Sequence, residues 1–169
     1  MNIRLFIYCA FILTLLTGCT QPPPPGLPPV VPCTVRVVDQ NKPLPAIDVS
    51  FLCTEGQGAW TLNGKTNSSG NAVARTIVGS YHKNGLPIGT YRVTLGERID
   101  IPLEFTENAP RDPKKSQEFF EKQKKYIAEH RTLPEIFYDS KTTPIELVVQ
   151  EPGVELTIDV SAYRNGKSK

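Results

Sequence analysis

The stretch Gly85-Leu86-Pro87-Ile88-Gly89-Thr90-Tyr91-Arg92-Val93-Thr94-Leu95 carries the clearest fold signal in this sequence. Pro87 and Gly89 are turn residues, and the residues after them alternate between apolar and polar. Tyr91, Val93 and Leu95 would therefore point to one side of the chain and Arg92 and Thr94 to the other. This period of two predicts a half-buried β-strand entered through a turn.

Similar alternating runs occur on both sides of this stretch, separated by turns rich in Pro, Gly and Asn. Short strands at regular spacing with such turns are typical of an all-β sandwich. We expect an antiparallel sandwich of about seven strands, the last two forming a hairpin around Glu151-Pro152-Gly153. The other predicted inward-facing residues are Cys33, Val35 and Val37, then Ile47, Val49, Phe51 and Cys53, and finally Ile145, Leu147, Val149, Leu156, Ile158 and Val160; less regular strands are predicted over 59–65 and 72–78.

One segment, about 113–130, has helical periodicity instead. Asp112 is a good N-cap, and Pro113 suits the first helical position. One face of the helix is apolar except for a glutamine and a histidine. We expect it to pack against the sandwich, while a membrane or partner surface is the alternative. The residues of this face are Phe119, Phe120, Gln123, Tyr126, Ile127 and His130.

Three motifs occur in the order seen in carboxypeptidase regulatory-like, transthyretin-like β-sandwiches. They are the run from Lys42 to Phe51, the turn from Thr66 to Ala72, and the stretch from Gly85 to Leu95. The chain also resembles small bacterial lipoproteins built on that domain, over about residues 33–161. The resemblance implies a transthyretin-like (Ig-like or prealbumin-like) domain over 33–163, followed by a polar tail over 164–169.

The first 18 residues are interpreted as a lipoprotein signal peptide. Leu16-Thr17-Gly18-Cys19 resembles a lipobox, and the apolar core from Leu5 to Leu16 is too short to span a bilayer. We expect Cys19 to be lipidated and to hold the protein on a membrane of the cell envelope. Thr20 stands where an inner-membrane retention signal usually has Asp, which favours the outer membrane, with the domain on its periplasmic or surface side. An ordinary secretory signal is the alternative.

Residues 19–32 are predicted to be the lipidated cysteine and a tether. Seven of the thirteen residues from Thr20 to Pro32 are prolines, which lack a backbone donor and have a fixed φ. An extended polyproline spacer of about 3.1 Å per residue would reach on the order of 40 Å. A ligand for an SH3-like domain is the alternative.

Cys33 and Cys53 are predicted to form a disulfide, since exported domains keep such bridges. They would lie opposite each other in a hairpin of the first two strands, or approach across the core if those strands belong to facing sheets. Two buried free thiols are the alternative.

Motifs of catalysis and metal binding are not evident in the sequence. The two histidines, His82 and His130, are far apart, and the ending Tyr163-Arg164-Asn165-Gly166 departs from the Tyr-Arg-Gly-Ser motif of transthyretin-like hydrolases. Without the 18-residue leader the chain has 18 basic and 17 acidic residues, so no nucleic-acid partner is expected. We expect no enzyme activity, metal or cofactor.

The expected function is a non-enzymatic structural or interaction module, anchored through Cys19, with an envelope protein or a glycan as partner. Loss of that partner on deleting residues 112–130 would mark the helix as the docking face. The alternative is a carbohydrate-binding accessory lipoprotein, which would need a planar row of exposed aromatic rings. The candidates for that row are Trp60, Tyr81 and Tyr138.

Overall fold

The computed structural model describes residues 22–54, 60–105 and 112–164. Within them the chain is mostly β-strand, with one α-helix. The strands are β1 (Val30–Val31), β2 (Cys33–Asp39), β3 (Lys42–Pro43), β4 (Ile47–Cys53), β5 (Thr61–Lys65), β6 (Asn71–Val73), β7 (Arg75–Val78), β8 (Tyr81–Asn84), β9 (Leu86–Pro87), β10 (Gly89–Glu97), β11 (Glu146–Val149) and β12 (Val154–Asp159); the helix α1 is Pro113–His130. None of the helices in these ranges is both long and apolar enough to cross a membrane.

Two sheets face each other across one apolar core. The six-stranded sheet has the order β11-β10-β4-β5-β7-β8, and the four-stranded sheet consists of β12, β2 and β3 with β6 also paired to β2. The predicted alternation is confirmed on the central strands: Val93 and Leu95 are buried, and the Arg92 and Thr94 side chains face outward. The prediction of an all-β sandwich with one helix agrees with this arrangement, in which nearly all pairings are antiparallel.

Two predicted strand connections differ from the structure. β2 and β4 lie in opposite sheets, so the simple hairpin between Cys33 and Cys53 was wrong and the facing-sheet geometry is the one observed. The final hairpin was also wrong, because β11 pairs with β10 whereas β12 crosses to the other sheet and runs parallel to β2. A period of two predicts which side chains face the core, but it carries no information on the sheet to which a strand belongs.

The predicted strand over 72–78 is divided between the two sheets. β6 pairs with β2, the fully buried Ala74 follows, and β7 then pairs with β5. Where β6 crosses β5, a Cβ at Gly64 would lie 2.9 Å from the carbonyl oxygen of Val73. Gly64 therefore permits the close backbone approach at which the chain changes sheets.

The proline-rich segment differs from the extended spacer that was predicted. The Leu27 amide donates to the Pro24 carbonyl at 3.2 Å, and Gly26 has a φ of 81°, which are features of a type II turn. β1 then pairs with β9, and the Ile88 amide donates to the Pro29 carbonyl at 3.0 Å. The segment from Pro22 to Val31 is thus folded back onto the sandwich.

The strand registers define two ends of the sandwich. At one end, which we call the tether end, Gly89 of β10 lies opposite Val149 of β11 and next to the segment that contacts Pro29. At the other end, which we call the Glu97 end, Glu97 lies opposite Ile47 of β4. The chain leaves the Glu97 end for α1 and returns there at Thr132, whose amide donates to Glu97.

Candidate functional site

Glu97, the last residue of β10, closes the insertion that contains α1. Its carboxylate accepts hydrogen bonds from the Thr132 amide at 2.7 Å and the Leu133 amide at 3.1 Å, and also from the hydroxyls of Thr132 and Tyr138. The insertion therefore begins and ends at one side chain. We call the segment from Leu103 to His130, as far as it is described, the appendage.

The hydrogen bonds to Glu97 affect its pKa more than its burial does. Burial alone would raise the pKa of this carboxyl, but the bonds from Thr132, Tyr138 and the Leu133 amide hold the pKa below its ordinary value. Burial, followed by the hydrogen bond to Glu97 and its negative charge, raises the pKa of Tyr138, while Arg131 lowers it. At neutral pH the site consists of a carboxylate and a neutral phenol, and both carboxylate oxygens of Glu97 accept from the returning chain.

The chain that returns from α1 is also attached to the core by apolar side chains. Leu133 and Phe137 are buried, and the ring of Phe137 contacts that of Tyr163 edge-on, with centroids 5.1 Å apart. The Arg131 guanidinium lies 4.4 Å from the centroid of the Tyr138 ring, a cation–π geometry. These apolar contacts hold the returning chain next to the hydrogen bonds that Glu97 accepts from Thr132, Leu133 and Tyr138, which we call the Glu97 clamp.

The helix has the predicted bounds and cap but not the predicted packing. The Asp112 carboxylate accepts from the Lys114 and Lys115 amides at 3.0 and 3.1 Å, and Pro113 is the first helical residue. None of the residues of α1 is buried, and none belongs to the core cluster or to the partly buried residues packed against it. The expected docking of its aromatic face on the sandwich was therefore wrong.

The aromatic face of α1 is covered by a short turn, Leu103–Phe105, instead. The Phe105 ring lies 5.5 Å from Tyr126 and 6.4 Å from Phe119, centroid to centroid, and the Gln123 side chain donates to the Phe105 carbonyl at 2.7 Å. This small cluster half-buries Phe119 and Tyr126. Among the described residues, this turn covers the aromatic face of α1, and no α1 residue belongs to the core cluster.

The appendage leaves apolar surface in contact with solvent. Leu103 is 69% exposed and Phe120 is 52% exposed. They are two of the five large apolar residues with high exposure in the described ranges, the others being Leu52, Val73 and Val148 on strands. On a helix outside the core, these exposed apolar side chains are available for contact with another protein.

The predicted lipidation residue, Cys19, lies outside the described residues, as does the predicted signal peptide. Cys33 is buried in the four-stranded sheet and Cys53 is half-buried in the six-stranded sheet, and both are free thiols here. Burial raises the pKa of the Cys33 thiol to about 11, so this thiol is a poor nucleophile at neutral pH. The disulfide between the two stays a prediction for the oxidised protein.

The three aromatic residues of the glycan alternative are not brought together on one exposed surface. Tyr81 is only 6% exposed, Trp60 is half-buried against the core, and Tyr138 donates its hydroxyl to Glu97 at the opposite end. The row of exposed rings that carbohydrate stacking requires is therefore not formed by these residues. The carbohydrate-binding alternative stays a prediction without this feature.

Metal-ligating clusters are not found in the described part of the chain, where no three His, Cys, Asp or Glu side chains converge. Arg164, the first residue of the predicted polar tail, donates to the Asp39 carboxylate at 2.7 Å, and residues 165–169 lie outside the described residues. Glu97 was not singled out by the sequence. Its main partner, Thr132, is 35 residues away, and neither residue belongs to a recognisable motif.

Comparisons with known proteins do not extend this description: no family model, no curated protein and no solved structure matches the chain.

Proposed function

We propose that this protein is a lipid-anchored protein of the cell envelope that acts as a non-enzymatic interaction module, with the appendage as its docking surface for a protein partner. The observation that carries the proposal is the exposed Phe120 on a helix that contributes nothing to the core. A helix retained outside the core at the expense of exposed apolar surface has a use other than stabilising the sandwich.

Lipidation and the transthyretin-like identity are supported by the sequence, and the non-enzymatic role by the surroundings of Glu97. The lipobox Leu16–Cys19 supports lipidation of Cys19 after removal of residues 1–18, and Thr20 supports the outer membrane. The order of the three strand-and-turn motifs supports a transthyretin-like identity for the sandwich. A non-enzymatic role is supported by the use of Glu97, a carboxyl with a shifted pKa, as a structural acceptor.

A photo-crosslinking amino acid placed at position 120 tests the docking surface in cells. We expect a reproducible crosslink to one envelope protein, identified by mass spectrometry. The matched control is the same amino acid at position 148, because Val148 is 59% exposed but lies on β11, in the sandwich. A crosslinking pattern at position 120 that equals the pattern at position 148 would contradict the proposal.

Deletion of residues 112–130 and the substitution Phe120→Ser should each abolish capture of that partner, whereas Val148→Ser should preserve it. The anchor is tested separately with Cys19→Ser, which should remove incorporation of radiolabelled fatty acid. Normal labelling of that variant would disprove lipidation at Cys19, whatever the crosslinking shows.

A further inference from the structure

The tether end carries a groove between the folded-back proline segment and the β7–β8 hairpin. Its volume is ≈ 790 Å³, and its walls are formed by Pro22, Pro23, Leu27 and Pro28 on one side and by Tyr81, His82 and Lys83 on the other. One wall is apolar and the other ends in exposed basic side chains. This combination suits the interface of a lipid bilayer, where apolar groups meet charged headgroups.

The residues that line the groove carry one cationic side chain and no carboxylate. Lys83 is that cation, the imidazole of His82 lies beside it, and none of the lining residues is Asp or Glu. Two carboxylates lie elsewhere at this end: Glu151 follows β11, at the opposite edge of the six-stranded sheet from β8, and Glu155 is on β12 of the other sheet. A surface of this kind attracts the anionic headgroups of a membrane.

The length of chain before the groove limits its distance from the membrane. Three residue steps separate Cys19 from Pro22, so even a fully extended chain spans at most roughly 11 Å. From Pro22 onward the chain is committed to the turn at Pro24–Leu27 and then to pairing of β1 with β9. The tether therefore does not hold the domain on a long stalk, and the anchor lies next to the groove.

We propose that the tether end, through the groove between Pro22–Val30 and Ser80–Lys83, lies on the membrane surface and binds anionic phospholipid headgroups. The inference rests on the proposed lipidation of Cys19 and adds to it an orientation. With the tether end on the bilayer, the Glu97 end and both junctions of the appendage lie at the side of the sandwich away from the lipid.

Amine footprinting of the full-length lipidated protein tests this inference with native residues. The protein is reconstituted in vesicles of phosphatidylcholine containing phosphatidylglycerol, and a water-soluble acetylating reagent is added. We expect Lys83 to react about fivefold more slowly than in non-ionic detergent, since one basic residue near an anionic surface gains about that factor. Lys42 is the internal control, because it is exposed on β3, which begins beside Asp39 at the Glu97 end.

Two comparisons identify the cause of the protection. It should be largely lost at high salt and on vesicles of phosphatidylcholine alone, because both remove attraction to anionic headgroups. Equal protection on neutral vesicles would overturn the proposed headgroup binding, and so would Lys83 reacting like Lys42 on protein that floats with the vesicles. Protein that fails to float would instead refute the lipid anchor, and the inference would fall with it.

Discussion

The two ends of the sandwich hold their attached segments by different chemistry. At the tether end, β1 pairs with β9, and the paired residues Val31 and Leu86 are both buried. At the Glu97 end, one carboxylate receives the hydrogen bonds that close the insertion. The first attachment depends on apolar burial and neutral groups, whereas the second depends on a charge.

The two attachments should therefore respond differently to pH. Burial of apolar side chains is insensitive to protonation, so the tether segment should stay in place over a wide range of pH. A clamp made by a single carboxylate is lost when that group is protonated. The attachment at the tether end is thus independent of pH. At the Glu97 end, protonation weakens the hydrogen bonds to Glu97, while Leu133 and Phe137 stay buried in the core.

The largest effect is expected when the apolar attachment is removed. Leu86 of β9 is fully buried and pairs with Val31 of β1, so Leu86→Ala leaves a cavity and should lower the free energy of unfolding by about 2–5 kcal/mol. Urea denaturation monitored by tryptophan fluorescence measures this loss. Val148→Ala is the control, since its side chain is 59% exposed and its replacement should change stability by no more than about 0.5 kcal/mol. Equal losses in both variants would mean that Leu86 is not part of a tightly packed attachment.

The next effect concerns the charged clamp. Glu97→Gln keeps the shape of the side chain but removes the charge, and it should lower the free energy of unfolding by about 2 kcal/mol because hydrogen bonds to charged groups are the stronger ones. The amide hydrogens of Thr132 and Leu133 should exchange faster in the variant. Glu135→Gln, at an exposed position in the following turn, is the matched control and should leave exchange unchanged. Unaltered protection of Thr132 in Glu97→Gln would show that the clamp does not hold the insertion.

Acid should weaken the clamp selectively. The folded-state pKa of Glu97 is depressed, so its stabilising effect is fully present above the unfolded pKa of about 4.3 and is lost as the pH falls through the folded value. The difference in stability between wild type and Glu97→Gln should therefore be constant near neutral pH and shrink below about pH 4.3. The pKa of Asp159 is also depressed, first by the Ser161 hydroxyl, but Asp159 is present in both proteins and cancels in the difference. A difference that does not change with pH would contradict the role of the charge.

The alternation of apolar residues could be predicted from the sequence because it is a local property. Val35, Val49 and Val93 face the core as expected, since each residue's side is decided by its immediate neighbours along the strand. The assignment of β12 to a parallel pairing with β2 could not be predicted, because the pairing depends on residues about 120 positions apart. The helix cap at Asp112 is again local and was predicted correctly.

The candidate site is harder to predict for the same reason. Glu97 is one of many acidic residues, and its importance arises from Thr132, which the fold brings to it across 35 residues. The aromatic face of α1 was recognised, but its partner was not, because Phe105 lies in a short turn without any periodic pattern. Local patterns indicate which surface a helix buries, and only the tertiary structure shows what covers it.

The smallest global effect is expected within the appendage itself. Asp112→Ala removes two hydrogen bonds to the first turn of α1 and should weaken the helix by about 1 kcal/mol, which matters locally because an isolated helix of this length is marginal. Circular dichroism should show less helix, while the urea midpoint of the sandwich should hardly move, since α1 has no buried residue.

Asp159→Ala provides the matched comparison for that variant. Asp159 caps a short turn in the same way, accepting from the Ser161 amide at 3.0 Å, but the turn contains the fully buried Val160. Its loss should therefore move the urea midpoint of the whole domain, because the cap is joined to the core. If Asp112→Ala moved that midpoint as far as Asp159→Ala, the appendage would belong to the cooperative unit of the sandwich. Loosening of α1 independently of the sandwich would then be excluded.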